Sequence, residues 1–278
     1  MNARVEAALR RHRAISIGAL IVLTALAWTW LFSGAGMDMN PQASLAPPAP
    51  KPMPDMPGMD MSHMAGMTMD MALPWTIGRF ALTFAMWWVM MIAMMLPSAA
   101  PTILLYARVA TLGGAKGRPA TASFLAGYLL AWGLYSLAAA TLQMGLERVA
   151  LLAPMEMVVL NRWLAGGLLI AAGLYQVSPL KNICLRHCRN PAQFLSRHHR
   201  PGAAGALRMG LIHGSYCVGC CWLLMALLFV GGIMNLAWIA LLTLAVAMEK
   251  LLPYGRTIGF LAGIACILWG GAMLAGAI

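Results

Sequence analysis

Residues 210–230 read GLIHGSYCVGCCWLLMALLFV, a run without a single acidic or basic side chain. As a helix rising 1.5 Å per residue, such a run crosses the roughly 30 Å hydrocarbon layer of a bilayer. Within it His213, Cys217, Cys220 and Cys221 recur at spacings of three and four. One helical face therefore carries an imidazole and three thiols, and Met209 and Met225 extend that stripe in either direction. A lipid-facing surface has no use for this set, and polar groups at membrane depth mark a site.

The rest of the 278-residue chain repeats the pattern: 61% of residues are hydrophobic and only 10% are charged. The expected fold is all-α, a polytopic bundle of about seven spans. The candidate spans are Ile15–Phe32, Trp75–Leu96, Ala122–Leu142, Trp163–Val177, Gly210–Val230, Leu236–Leu252 and Thr257–Ala277. The first follows Arg4, Arg10, Arg11 and Arg13 and reads as a signal anchor rather than a cleaved leader. Three regions result: a basic terminus and anchor (1–36), an extracytoplasmic loop (37–73) and a six-helix membrane domain (74–278).

Nineteen Lys and Arg against eight Asp and Glu give a net charge of +11. In a seven-span arrangement the N-terminal arginines, Arg108, Lys116, Arg118, the 181–208 loop and Lys250/Arg256 share one side, while most acidic residues face the other. The positive-inside rule puts the N-terminus in the cytoplasm and the C-terminus outside. The basic excess is thus topological, and nucleic acid is not an expected partner.

The loop from Met37 to Met71 reads MDMNPQASLAPPAPKPMPDMPGMDMSHMAGMTMDM. Its Pro/Ala-rich half is an extended linker by composition. Its second half repeats methionine every two or three residues, including Met59, Met61, Met64, Met67 and Met69, with His63 among them. Thioethers are soft, neutral ligands suited to Cu(I), and they survive an oxidising compartment that would pair thiols. The second span continues the theme: Met86, Met90 and Met94 form one helical row, Met91 and Met95 an adjacent one. Such rows serve either as a thioether pathway or as ordinary gap-filling in apolar packing. Pro97 and Pro101 are expected to kink or end this helix.

Cys184 and Cys188, four apart, share a face if their stretch is helical, so five of the six cysteines fall in two short clusters. Thiols, imidazole and thioethers together suit Cu(I), with Zn(II) as the alternative. The segments MWWVMMIAMMLPSAAP (86–101), YQVSPLKNICLRHC (175–188), HGSYCVGCCWLLM (213–225) and MEKLLPYGR (248–256), in that order, resemble the bacterial family of predicted metal-binding integral membrane proteins named domain of unknown function 2182. The resemblance spans about Trp75 to Ile278. It implies metal binding with Cys184, Cys188, Cys217, Cys220 and Cys221 as characteristic positions, and leaves the ligand open.

The expectation is an inner-membrane soft-metal protein, not an enzyme, that binds Cu(I) and transports or delivers it. Its partners would be the bilayer, the ion and a metallochaperone or oxidase on one side. The metal candidates are His213, Cys217, Cys220, Cys221, Cys184, Cys188, Met86, Met90 and Met94, with the loop methionines above. Two alternatives stand beside it: a thiol-disulfide oxidoreductase built on the Cys217–Cys220 C-x-x-C, and an assembly or scaffold subunit with structural thiols. Cys266 is expected to be packing, and His198 and His199 a solvated loop. Glu249 is expected to pair with Lys250 or Arg256, the alternative being a carboxylate that carries a proton coupled to ion movement. Tyr175, Gln176 and Asn182 are candidate supporting donors, and Gly166, Gly167, Gly173, Gly259 and Gly263 close-packing positions. No nucleotide-binding loop occurs.

Overall fold

The computed structural model describes residues 3–35, 74–112, 117–153 and 157–276. The methionine-rich loop, with Met59, Met61, Met64, Met67 and Met69, lies outside the described residues. The rest is helical: α1 (Ala3–Phe32), α2 (Ile77–Leu112), α3 (Gly117–Arg148), α4 (Arg162–Val177), α5 (Pro179–Arg189), α6 (Pro191–His198), α7 (Gly202–Ala226), α8 (Leu228–Gly231), α9 (Leu236–Leu251) and α10 (Gly255–Ala275). Among the described residues there is no strand, only an isolated bridge between Leu152 and Val159.

Five of these helices are long and apolar enough to cross a membrane, six if the bent pair α4–α5 is one broken span. The seven-span reading departs from this at α9. With 16 residues that helix reaches only about 24 Å, short of a full hydrocarbon layer. Outward faces are as apolar as inward ones: Leu261 and Leu268 on α10 are 62% and 69% exposed. Such faces belong in lipid rather than water.

Two helix pairs set the framework, α3 with α7 and α4 with α10, and α2 packs on α1 and α3. Between helices in lipid, small residues let backbones approach, because dispersion rather than water exclusion holds them together. A Cβ on Gly210 would lie 1.9 Å from the Phe124 carbonyl oxygen, and one on Gly127 2.1 Å from that of Leu207. Gly166 and Gly173 face Gly270 and Gly263 in the same way on α4 and α10. Gly167 does not belong with them: its missing side chain would meet nothing within 4 Å.

Pro97 and Pro101 neither end nor break α2, which runs through both to Leu112. Neighbouring helices can re-satisfy the carbonyls that a membrane proline frees. At the opposite end, Arg79 pairs with Glu147 at 2.8 Å. Gln143 links that pair to the Trp87 indole, donating to Glu147 at 3.0 Å and accepting from Trp87 at 2.8 Å. This chain ties α2 to α3 through polar groups that are mutually satisfied.

Gly210→Ala is expected to destabilise the bundle by about 1–3 kcal/mol or more, as overpacking does, whereas Gly167→Ala is expected to be neutral. Thermal unfolding of the two variants in one detergent checks both; equal melting temperatures would contradict the close approach of α3 and α7.

Candidate metal centre

Ser178 decides where the upstream cysteines go. Its backbone N–H closes α4 on the Tyr175 carbonyl, and its hydroxyl accepts from the Lys181 N–H at 3.3 Å to open α5. Pro179, at the first position of α5, cannot continue α4 but is preorganised to start a new helix. The chain bends by 63° between them and α5 folds against α7. Cys184 Sγ then rests on Gly219, where a Cβ would come within 3.0 Å of the sulfur. The Cys188 side chain reaches both Cys217 and Cys220. The two cysteine clusters are therefore one layer, and all six cysteines are free thiols. Tyr175 ties the layer further by donating to the Gly219 carbonyl.

The layer is closed from the other side by α2, α3 and α9. Cys217 Sγ lies 3.2 Å from the Tyr128 hydroxyl, which also donates to the Met95 carbonyl at 3.2 Å. Cys221 Sγ lies 3.8 Å from Met95 Sδ. The ammonium of Lys250 stands 2.9 Å from Cys217 Sγ, 4.0 Å from Cys221 Sγ and 3.5 Å from the Ser98 hydroxyl. Cys217, Cys220, Cys221 and Lys250 are all buried.

His213, one turn before Cys217, sits among the rings of Phe124, Tyr128 and Phe194, with centroids 5.1–6.1 Å away. Its Nδ1 is buried without a hydrogen-bond partner, which is costly unless something else engages it. Thiols, a thioether and an orphaned imidazole nitrogen form a soft donor set. In the arrangement seen, no three His, Cys, Asp or Glu side chains among the described residues are drawn together to hold an ion. Two features account for this. The Cys220 and Cys221 thiols turn back to the Cys217 carbonyl, at 3.1 and 2.9 Å, and the Lys250 ammonium stands where a cation would be expected.

The chain matches the family PpoB2, described as a copper chaperone, over residues 84–273, more than half of its length. It belongs to the PpoB2 copper chaperone family. Comparison with curated proteins and with solved structures gives no match. Metal binding, the class that the motifs point to, is common to this family and to the uncharacterised family they resemble; the match itself is to PpoB2.

In this chain Met95 is the methionine brought to the thiols. Met94 is next to it on α2, and Met90 and Met86 are buried further along the same helix. Cys266 packs against the core. His187 stacks on Tyr216 at 4.1 Å and His198 on Phe194 at 4.7 Å, while His199 is exposed. Asn182 bonds the Ser178 carbonyl of its own helix, a local role rather than one at the thiols.

Glu249 departs from expectation. It pairs not with Lys250 or Arg256 but with Lys181, at 2.5 Å, with both side chains nearly inaccessible. Gln176 bridges the two, its carbonyl accepting from Lys181 and its amide donating to Glu249 at 3.4 Å. Gly259 leaves the room: a Cβ there would lie 2.5 Å from the carboxylate. The reason for the difference is angular. Adjacent residues on a helix point about 100° apart, so Glu249 faces α5 and α10 while Lys250 faces α2 and α7.

Sequence reasoning left Tyr128, Ser98 and Lys250 unnamed at the thiols and placed Met95 only in the second methionine row, outside the metal candidates. Lys250 carried a signal, a cation at the end of an apolar helix, but that signal reads equally as positive-inside topology. Tyr128 and Ser98 carried none.

Removing one member of the Lys181–Glu249 pair leaves a buried charge uncompensated. Glu249→Ala is expected to cost about 3–5 kcal/mol, and the paired apolar change Lys181→Met/Glu249→Leu to recover most of it. Thermal or denaturant unfolding of the single and double variants tests this; a double variant no better than the single would refute the pairing.

Proposed function

We propose that this chain is a bacterial inner-membrane copper chaperone that holds Cu(I) at the buried thiol layer and transports it across the membrane or delivers it to a partner. The observation that carries the reading is the convergence of Cys188 from α5 with Cys217 and Cys220 from α7, with Met95 of α2 against Cys221. Thiolates and a thioether bind a soft monovalent ion strongly and hard ions weakly. The candidate ligands are Cys217, Cys220, Cys221, Cys188 and His213, with Cys184 at the edge of the layer.

On either side of this layer stand elements suited to supply and removal. The methionines of the 37–71 loop offer thioethers for capture outside. Met86, Met90, Met94 and Met95 lie along one helix, α2, which follows that loop in the chain and brings Met95 to the thiols. Cys184 and Cys188 belong to the basic 181–208 segment, where a cytoplasmic acceptor would dock. A thiol shared between neighbouring ligand sets lets an ion move by ligand exchange without being released free, and Cys217 is placed for that role, reaching Cys188 on one side and Tyr128 and Lys250 on the other. Zn(II) is the alternative cargo and an oxidase or metallochaperone the expected partner class. The protein would act without catalysing a reaction.

A thiol-disulfide relay is the second reading, favoured by the contact of Cys188 with both members of the Cys217–Cys220 pair. The two make opposite predictions. For the chaperone, reduced protein binds Cu(I) tightly in chelator competition, and Cys217→Ser/Cys221→Ser weakens it by more than about 100-fold, beyond the 10–100-fold typical of supporting residues. X-ray absorption of the copper-loaded wild type would report sulfur ligation. Wild-type protein that takes up no Cu(I), but forms a Cys188–Cys217 or Cys217–Cys220 disulfide in cells, would overturn the chaperone reading.

A further inference from the structure

The stretch from Lys181 to Arg208 holds Lys181, Arg186, Arg189, Arg197, Arg200 and Arg208 and no acidic residue. Two of these cations are engaged within the protein. Lys181 turns inward to Glu249, and Arg189 donates to the Leu252 and Pro253 carbonyls at 2.7 and 2.9 Å. Arg186 and Arg197 instead line a surface pocket of about 280 Å³ between α5 and α6, with Ile183, His187 and Gln193. Among the described residues neither guanidinium meets a carboxylate, since Glu147 and Glu249 are held by Arg79 and Lys181.

The pocket is built by the break between the two helices. Asn190 leaves helical geometry, with φ −116° and ψ 72°, and Pro191 starts α6. Arg186 of α5 and Arg197 of α6 therefore line one corner from two helices. One wall is fixed: the His187 ring stacks on Tyr216 at 4.1 Å, and its Nδ1 donates to the Ile183 carbonyl at 2.9 Å. On the other wall Gln193 and Arg197, four apart, share a face of α6.

An apolar stripe leads into this corner. Leu180 and Ile183 precede Arg186 and His187 at spacings of three and four, so one face of α5 changes from apolar to basic within two turns. Leu180 and Ile183 are 65% and 54% exposed, and they begin just past the break that ends α4. Hydrocarbon contact followed by fixed cations matches the two parts of a phospholipid in order. We propose that this corner binds an anionic phospholipid, its phosphate held by Arg186 and Arg197 and an acyl chain laid along Ile183 and Leu180. Guanidinium forks fit phosphate oxygens. A zwitterionic headgroup brings its own ammonium, which two uncompensated guanidiniums repel; an anionic one carries the net charge they lack. The volume sits at the lower edge of the roughly 300–1,000 Å³ of small-ligand sites, room for a headgroup rather than for a protein segment. A lipid held there would clasp α6 to α5, the helix that carries Cys184 and Cys188.

The test uses full-length protein in mild detergent, equilibrated with equal amounts of phosphatidylglycerol and phosphatidylcholine, with retained lipid counted by native mass spectrometry. Wild type is expected to retain phosphatidylglycerol in preference. Arg186→Gln/Arg197→Gln is expected to reduce that preference by about tenfold or more, the effect of losing two interfacial cations. Arg200→Gln/Arg208→Gln removes the same charge from the same stretch, outside the pocket lining, and is expected to keep it. Equal loss in both double variants overturns the site and marks a general attraction of basic surface for anionic lipid. Retention unchanged in Arg186→Gln/Arg197→Gln overturns it as well. Inorganic phosphate separates the two sources of the same chemistry. Phosphate that displaces the retained phosphatidylglycerol at equal concentration would make the corner a free-oxyanion site and refute the lipid assignment. Without phosphatidylglycerol, Arg186→Gln/Arg197→Gln is expected to melt with wild type; a lower melting temperature there would assign the arginines to the fold instead. Neither arginine is a candidate copper ligand, so the copper reading stands or falls separately.

Discussion

Two buried cations and one buried carboxylate meet at the end of α9, and the organisation of the site depends on how they are compensated. Glu249 and Lys250 are neighbours in sequence, yet each turns to a different partner. Glu249 pairs with Lys181 of α5, and Lys250 stands against the thiols of α7 and the Ser98 hydroxyl of α2. In a low-dielectric interior an uncompensated charge is far more costly than a lost apolar contact. The end of α9 is therefore pinned in register against three other helices. Those are the helices that carry Cys184 and Cys188, Cys217 to Cys221, and Met95.

Around that point the scaffold is plain. Glycines allow α3 to lie against α7 and α4 against α10 at backbone contact. That brings Tyr128 of α3 to the thiol of Cys217. The 63° break at Ser178 does the rest, since a straight continuation of α4 would carry Cys184 and Cys188 away from α7. The thiol layer is thus enclosed by five helices held through four devices: glycine contact between α3 and α7, a capped proline break before α5, a buried ion pair at α9 and the methionines of α2. The chain belongs to the PpoB2 copper chaperone family, and soft sulfur donors in a dry interior suit copper.

Much of this was legible in the chain itself. Apolar runs of membrane-spanning length admit only helices, since backbone groups in hydrocarbon must be satisfied within the segment. The spacing of His213, Cys217, Cys220 and Cys221 placed these four side chains on one helix face, because three- and four-residue spacing is a local property of the α-helix. The soft character of the donors followed from their identity alone. Charge pairing did not follow: Glu249 beside Lys250 looks like a local pair in sequence, while helix geometry points the two side chains apart. Nor did the continuation of α2 through Pro97 and Pro101, which depends on neighbours that the local sequence does not contain.

What the sequence by itself determined is the material: a helical membrane protein, a thiol-rich face, and a methionine-rich segment. Each is a consequence of composition or of spacings shorter than two helical turns. What only the tertiary structure decided is the company those residues keep. That Cys188 meets Cys217, that Tyr128 and Met95 reach the sulfurs, and that a lysine rather than a carboxylate faces them are contacts between residues from 29 to 126 positions apart in the chain. No local periodicity encodes such contacts. They are selected by the joint demands of backbone contact at glycine and charge compensation in a medium where water cannot supply it.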